Sequence, residues 1–234
     1  MTIDSNLAAI RERVASAARR AGRNPSDVAL MAVSKTQSAA SIIEAHAAGQ
    51  RLFGENRVQE FADKFPALTQ LTDVEFHMIG HLQSNKTSKA AEVFHAVDSI
   101  DSSKLAQRLN DAAEKLDKTL DILIEINIGG EEAKSGIAPG DPELESILTR
   151  GLDWPHLRIR GLMTVPPFTE DPEGARSYFR KLRELRDRLA ARHLPSVNLD
   201  ALSMGMSHDF EVAIEEGSTC VRIGTAIFGT RPQL

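Results

Sequence analysis

Short apolar runs alternate with amphipathic stretches almost from one end of the chain to the other. The opening stretch, residues 5–21, sets Leu7, Ile10, Val14 and Ala18 at helical spacing on one face. Gly22 is placed to end that helix, and Pro25 bars its continuation. Strands are then predicted at residues 28–33, 51–54, 74–80, 93–97, 122–127, 158–162, 198–201 and 220–223. Amphipathic segments at 39–48, 57–65, 86–91, 103–116, 142–150, 174–191 and 210–216 separate them and read as helices. Several strands are continuous apolar runs rather than alternations, as expected when both faces are covered. Eight strand–helix units without a long linker predict an α/β fold, a TIM (β/α)8 barrel, with an extra N-terminal helix closing one end or flank. A doubly wound open sheet is the alternative. It would need fewer strands, and no G-x-G-x-x-G follows the first of them. Residues 129–140 are polar and contain glycine, which predicts a flexible loop after the fifth strand.

The length of 234 residues suits one α/β domain with a sizeable core, read here as a single domain over 1–234. Hydrophobic residues at 41% and charged residues at 26% fit a water-soluble globule. A net charge of -5 speaks against a nucleic-acid partner, which selects basic surfaces. Trp154 and Tyr178 are the only residues of their kinds, too few for a base-stacking platform. No apolar run approaches membrane-spanning length and the N-terminus lacks a signal-peptide core, so no membrane partner is expected. Cys220 is the only cysteine, which rules out an internal disulfide and points to a reducing, cytoplasmic setting.

The candidate chemistry sits where strands end, the active face of such a barrel. The run Val28-Ala29-Leu30-Met31-Ala32-Val33-Ser34-Lys35 closes an apolar strand on an amine. Lys35 is either a solvated loop residue or an imine-forming group, since partial burial favours the neutral amine. Asn56 reads as an N-cap for the following helix, as a side chain facing a ligand, or as both. Glu55 has a positive partner or solvent. His77 and His81 lie close in sequence, but no H-E-x-x-H or cysteine cluster accompanies them, so no metal is expected. Met163, Met204 and Met206 are core filler or soft padding against a flat ring. Ser203 and Ser207 flank Gly205 ahead of a helix, which Ser207 is placed to cap. Gly224-Thr225 opens a turn after the eighth strand, so these two loops are either ordinary turns or a phosphate cradle. Arg222, in a short apolar strand, needs a partner: a carboxylate or a ring nitrogen. An amine at one strand end and a phosphate cradle at two others suggest an aldehyde-phosphate cofactor carried as a Schiff base. A phosphate-sugar isomerase or aldolase on the same barrel is a further reading.

The segments Val33-Ser34-Lys35, Phe53-Gly54-Glu55-Asn56, His77-Met78-Ile79-Gly80-His81-Leu82-Gln83-Ser84-Asn85-Lys86, Gly161-Leu162-Met163, Ser203-Met204-Gly205-Met206-Ser207-His208-Asp209 and Val221-Arg222-Ile223-Gly224-Thr225 span nearly the whole chain. In them the chain resembles the pyridoxal phosphate homeostasis proteins, which in turn resemble the N-terminal barrel domain of alanine racemase. The resemblance implies a pyridoxal 5′-phosphate cofactor held as an aldimine by Lys35. Arg222 then faces the pyridine nitrogen, and Gly224, Thr225, Ser203 and Ser207 surround the phosphate. Asn56 stands beside the ring. It also implies a non-catalytic role in intracellular vitamin B6 homeostasis, with transient acceptor apo-enzymes as partners; a racemase of low activity is the alternative. The second base of the racemase is a tyrosine from a separate β domain. This sequence stops at Leu234 after its last barrel unit, so that domain is not expected, and a monomer is expected over a dimer.

Overall fold

Eight parallel strands close on themselves in the computed structural model, which describes residues 2–131 and 134–229. They are β1 (Ala29–Val33), β2 (Leu52–Glu55), β3 (Glu75–Met78), β4 (Ala96–Ile100), β5 (Leu120–Glu125), β6 (Leu157–Met163), β7 (Val197–Met206) and β8 (Cys220–Ile223). Each pairs with the next in chain order, and β8 returns to β1 in the register Leu30↔Val221 and Met31↔Arg222. Around them run α1 (Ile3–Arg20), α2 (Ala39–Ala47), α3 (Val58–Lys64), α4 (Thr87–Val93), α5 (Ser103–Glu114), α6 (Pro142–Thr149), α7 (Arg176–Ala190), α8 (Phe210–Glu215) and the short α9 (Thr225–Phe228). This is the predicted (β/α)8 barrel. None of these helices is long and apolar enough to cross a membrane.

The helix α1 starts on a capping box, in which the Ser5 amide donates to Thr2 Oγ1 and Ser5 Oγ accepts from the Thr2 amide. It buries Leu7, Ile10, Val14, Ala17 and Ala18 and packs on the flank of the barrel beside α8, α9 and α2. The Asn6 amide donates to the Ile227 carbonyl at 2.8 Å and ties it to α9. Between sheet and helices lies one continuous apolar layer. Phe61 is central to it, with ring centroids 4.8 Å from both Phe76 and Phe94. Each such ring, removed from water, stabilises the fold by roughly 1.5–3 kcal/mol.

Three boundaries differ from the sequence pattern, and two shape the site. Residues 93–95 do not open a strand. Val93 closes α4 instead, because Ala90, Ala91 and Val93 bury at helical spacing, and β4 begins at Ala96. The seventh strand runs on to Met206, so Ser203 and Met204 are strand residues rather than loop residues. The segment after β5 folds back: Ile126 bridges to Ile137, and the Asn127 amide donates to the Ile137 carbonyl at 2.9 Å. Of the predicted loop, Glu132 and Ala133 lie outside the described residues.

Candidate functional site

The carboxyl ends of the strands surround a cavity of about 590 Å³. Lys35 lines it from the turn after β1. That turn is fixed from below. The Gln37 amide donates to the Ser34 carbonyl at 3.0 Å, and the Lys64 ammonium donates to the carbonyls of Ser34 and Gln37, both at 3.1 Å. Lys64 also pairs at 2.6 Å with Glu55, whose carboxylate is fully buried and accepts from Ser34 Oγ at 2.6 Å. Burial raises the Glu55 pKa, against the opposing pull of Lys64 and Ser34. Glu55 therefore has the positive partner its position called for, and the partner is the last residue of α3.

Asn56 follows directly and lines the cavity. It does not cap α3; the cap position falls on Arg57, with no side-chain cap. Asn56 Oδ1 is instead buried without a hydrogen-bond partner among the described residues. Gly80 makes this placement possible, because a Cβ there would sit 2.8 Å from Asn56 Cα.

Arg222 lines the cavity from β8 while only 4% exposed. Its Nη1 donates to Ser203 Oγ and its Nη2 to the Thr164 carbonyl, each at 2.7 Å. Desolvation lowers its pKa, and the carboxylates of Asp98, Glu125 and Asp209 act in the opposite sense. Ser203 does not reach the lining. As a strand residue below the mouth it is fully buried and orients Arg222. Met163 and Met204 are fully buried too and lie off the lining; Met204 belongs to the layer between sheet and helices. Met206, at the end of the extended β7, takes the lining position beside Ser207. Gly205 bends the chain there with φ +94, in contact with α8. Asp209 Oδ1 accepts from the Met206 amide at 2.6 Å, so Asp209 shapes this loop and Ser207 does not cap α8. Gly224 and Thr225 complete the wall at the start of α9.

The cavity thus brings together Lys35, Asn56, Ser207, Arg222, Gly224 and Thr225. Its wall also holds Glu125, His81, Lys134, Ser135 and His208. His81 pairs with Asp101 at 3.3 Å, while His77 pairs with Asp98 at 3.1 Å further down the barrel. Lys134 pairs with Glu131 and donates to the Pro166 carbonyl. Among the described residues no group of three histidine, cysteine or acidic side chains is arranged to hold a metal. Glu125 went unread in the sequence because the fifth strand was drawn to residue 127. Its signal is the one that marks Lys35: a charged residue closing an apolar strand.

Comparison with known proteins places this geometry. The family model for the N-terminal domain of alanine racemase matches residues 5–232. A pyridoxal phosphate homeostasis protein of Aquifex aeolicus is 46% identical over 231 residues, covering 99% of each chain. PipY of Synechococcus elongatus PCC7942, solved with PLP bound, superposes with a TM-score of 0.84 at 37% identity, over 97% of this chain and 100% of that one. An alanine racemase of Clostridium difficile 630 shares the fold at 14% identity, with a TM-score of 0.71 over 99% of this chain and 57% of that chain.

Proposed function

Because the chain belongs to the pyridoxal phosphate homeostasis proteins of the alanine racemase N-terminal domain family, we propose that it binds pyridoxal 5′-phosphate at the barrel mouth and holds it without robust turnover. The carrying observation is that one cavity gathers Lys35, Arg222, Ser207, Gly224 and Thr225 on its wall. This donor set fits the cofactor. Lys35 supplies the amine for a reversible carbon–nitrogen double bond to the aldehyde. The Ser207 hydroxyl and the backbone at Gly224 and Thr225 receive the phosphate.

Arg222 supports holding over turnover. A guanidinium only donates hydrogen bonds, so a ring nitrogen facing it stays unprotonated and the ring is a weak electron sink. Ser203 Oγ and the Thr164 carbonyl fix the guanidinium in place. The single tyrosine, Tyr178, lies on α7 and not on the cavity wall. In this reading the protein is a cytoplasmic, monomeric single domain over 1–234. It buffers the cofactor and passes it to acceptor apo-enzymes in vitamin B6 homeostasis.

The test is reduction of the cofactor-loaded protein with borohydride, followed by peptide mapping. The yellow colour bleaches, and the cofactor is fixed on the peptide containing Lys35. Lys35→Ala loses the fixed product and keeps weaker, phosphate-driven binding. Equal labelling of that variant moves the anchor to another lysine and defeats the assignment.

A further inference from the structure

Phe168 is 79% exposed, more than any other large apolar side chain among the described residues. It lies between β6 and α7, beside the cavity rather than in it. Its ring is 5.5 Å from that of His208, which lines the cavity, and Val165, three residues earlier, lines it too while 38% exposed. A lone apolar residue at a surface needs no explanation, but this one rests on a built support. Thr164, fully buried, opens the segment and its Oγ1 donates to the Ile126 carbonyl at 2.6 Å. The Lys134 ammonium donates to the Pro166 carbonyl at 3.1 Å. Gly129 packs so closely on Pro167 that a Cβ there would lie 2.5 Å from the proline ring. On the other side of Phe168, His208 Nε2 is 3.1 Å from the carbonyls of both Thr169 and Glu170. Two acceptors fix the hydrogen on Nε2 and make it the donor. The loops after β5 and β7 therefore hold the segment from both sides. An aromatic ring on backbone already ordered loses little freedom when it is covered, which is the property of an interface anchor.

The charge around the ring says what covers it. Glu170, Asp171 and Glu173 follow Phe168 closely and are exposed, as is Glu131 on the neighbouring loop. A second copy of this chain, paired symmetrically, would set that acidic run against itself, and the net charge of -5 adds to the repulsion. An anionic lipid surface is repelled in the same way. The complementary face is an apolar socket flanked by basic residues. Under the reading above, on which this inference rests, the protein delivers a phosphate-bearing cofactor to enzymes that lack it. An enzyme awaiting such a cofactor keeps cations and hydrogen-bond donors around its vacant phosphate site, and so offers a basic entrance. Val165 and His208 belong both to the cavity wall and to the surroundings of Phe168, so a partner seated on the ring lies beside the mouth.

We propose that the segment carrying Phe168 is a docking lip of the cavity: Phe168 enters an apolar socket on an acceptor apo-enzyme, and the acidic residues beside it meet that enzyme's basic entrance. The experiment loads the protein with pyridoxal 5′-phosphate and fixes the cofactor with borohydride, so that docking is measured without transfer. A panel of cofactor-stripped enzymes with basic active-site entrances is then titrated into it by calorimetry. The wild type binds members of the panel, and Phe168→Ala weakens that binding by about tenfold, the effect of losing an interface anchor. Glu170→Lys weakens it by about fivefold at low salt, and the loss shrinks as salt is raised. Both side chains are exposed and off the cavity wall, so the variants fold and their affinity for pyridoxal phosphate stays within about twofold of wild type. A wild type that binds none of the panel overturns the proposal, as does Phe168→Ala binding as tightly as wild type. Sedimentation of the wild type alone as a dimer that Phe168→Ala dissolves gives the ring to a second copy and overturns it too. A wild type that captures no pyridoxal phosphate fells the cofactor reading and this inference with it; capture without docking fells this inference alone.

Discussion

Lys35 stands on a turn whose carbonyls are held by Lys64, and Lys64 is held by the buried carboxylate of Glu55. Neither residue needs to touch a ligand to matter, because they fix the backbone turn that carries the amine. Removing one partner leaves the other charge buried and unpaired, so Lys64→Ala costs about 3–5 kcal/mol in urea unfolding. Replacing the pair by apolar residues, as in Lys64→Met with Glu55→Leu, restores most of that stability. It does not restore the hydrogen bonds to the Ser34 and Gln37 carbonyls. The double variant is therefore expected to fold while capturing pyridoxal phosphate more slowly and weakly than wild type. Capture at the wild-type rate would mean that the Ser34–Gln37 backbone turn suffices by itself. Lys35 was legible in the sequence because an apolar strand closes on it. Its support was not, since Lys64 reads as one more polar residue at the end of an amphipathic helix.

The elements carry their own constraints. Gly205 lies inside β7 at φ +94, and a Cβ there would come within 2.6 Å of Ala213 Cβ on α8. Gly205→Ala must both strain the strand and push α8 away, at about 1–3 kcal/mol. The Ser207 loop moves with it, so cofactor affinity falls along with the melting temperature. Lower down, β3 and β4 face each other through His77 and Asp98. Burial disfavours the imidazolium, but the Asp98 carboxylate, with help from Glu75, pushes the His77 pKa up to about 10. The sign follows from linkage. The folded state binds this proton more tightly than the unfolded chain, whose value is about 6.5. The stabilisation is complete below the unfolded value and is lost as pH rises through about 10. It amounts to at most about 5 kcal/mol. Urea unfolding between pH 6 and 10 should show that decline in the wild type, and its disappearance in the neutral pair His77→Gln with Asp98→Asn. A variant that keeps the same slope assigns it to another group. The strand pattern revealed β3 and β4 but not this pairing, because cross-strand partners depend on register, which the residues of one strand do not give.

At the scale of the whole molecule the closed barrel turns eight separate strand ends into one wall, which puts Lys35 and Arg222 on one cavity. The fold was legible because each strand–helix unit repeats the same apolar alternation. The depth of each residue was not. A strand that runs a few residues further sinks Ser203 and Met204 below the mouth and lifts Met206 and Ser207 to it, and strand ends are where sequence patterns are weakest. The same geometry bears on turnover. Moving a proton at the α-carbon of an amino acid needs a base on each face and a ring that accepts electrons. With the cofactor bound as proposed, Lys35 would serve one face and Arg222 would meet the ring nitrogen with donors only, while the chain's one tyrosine is on α7, off the cavity wall. Cofactor-loaded protein incubated with single-enantiomer alanine in deuterated water is therefore expected to exchange the α-proton no faster than free cofactor with a simple amine. Deuterium entry or loss of optical activity at an enzymatic rate would instead make the protein a racemase. Glu125, His81, Lys134 and His208, the other proton-carrying side chains on the cavity wall, would then be the first candidates for the second base.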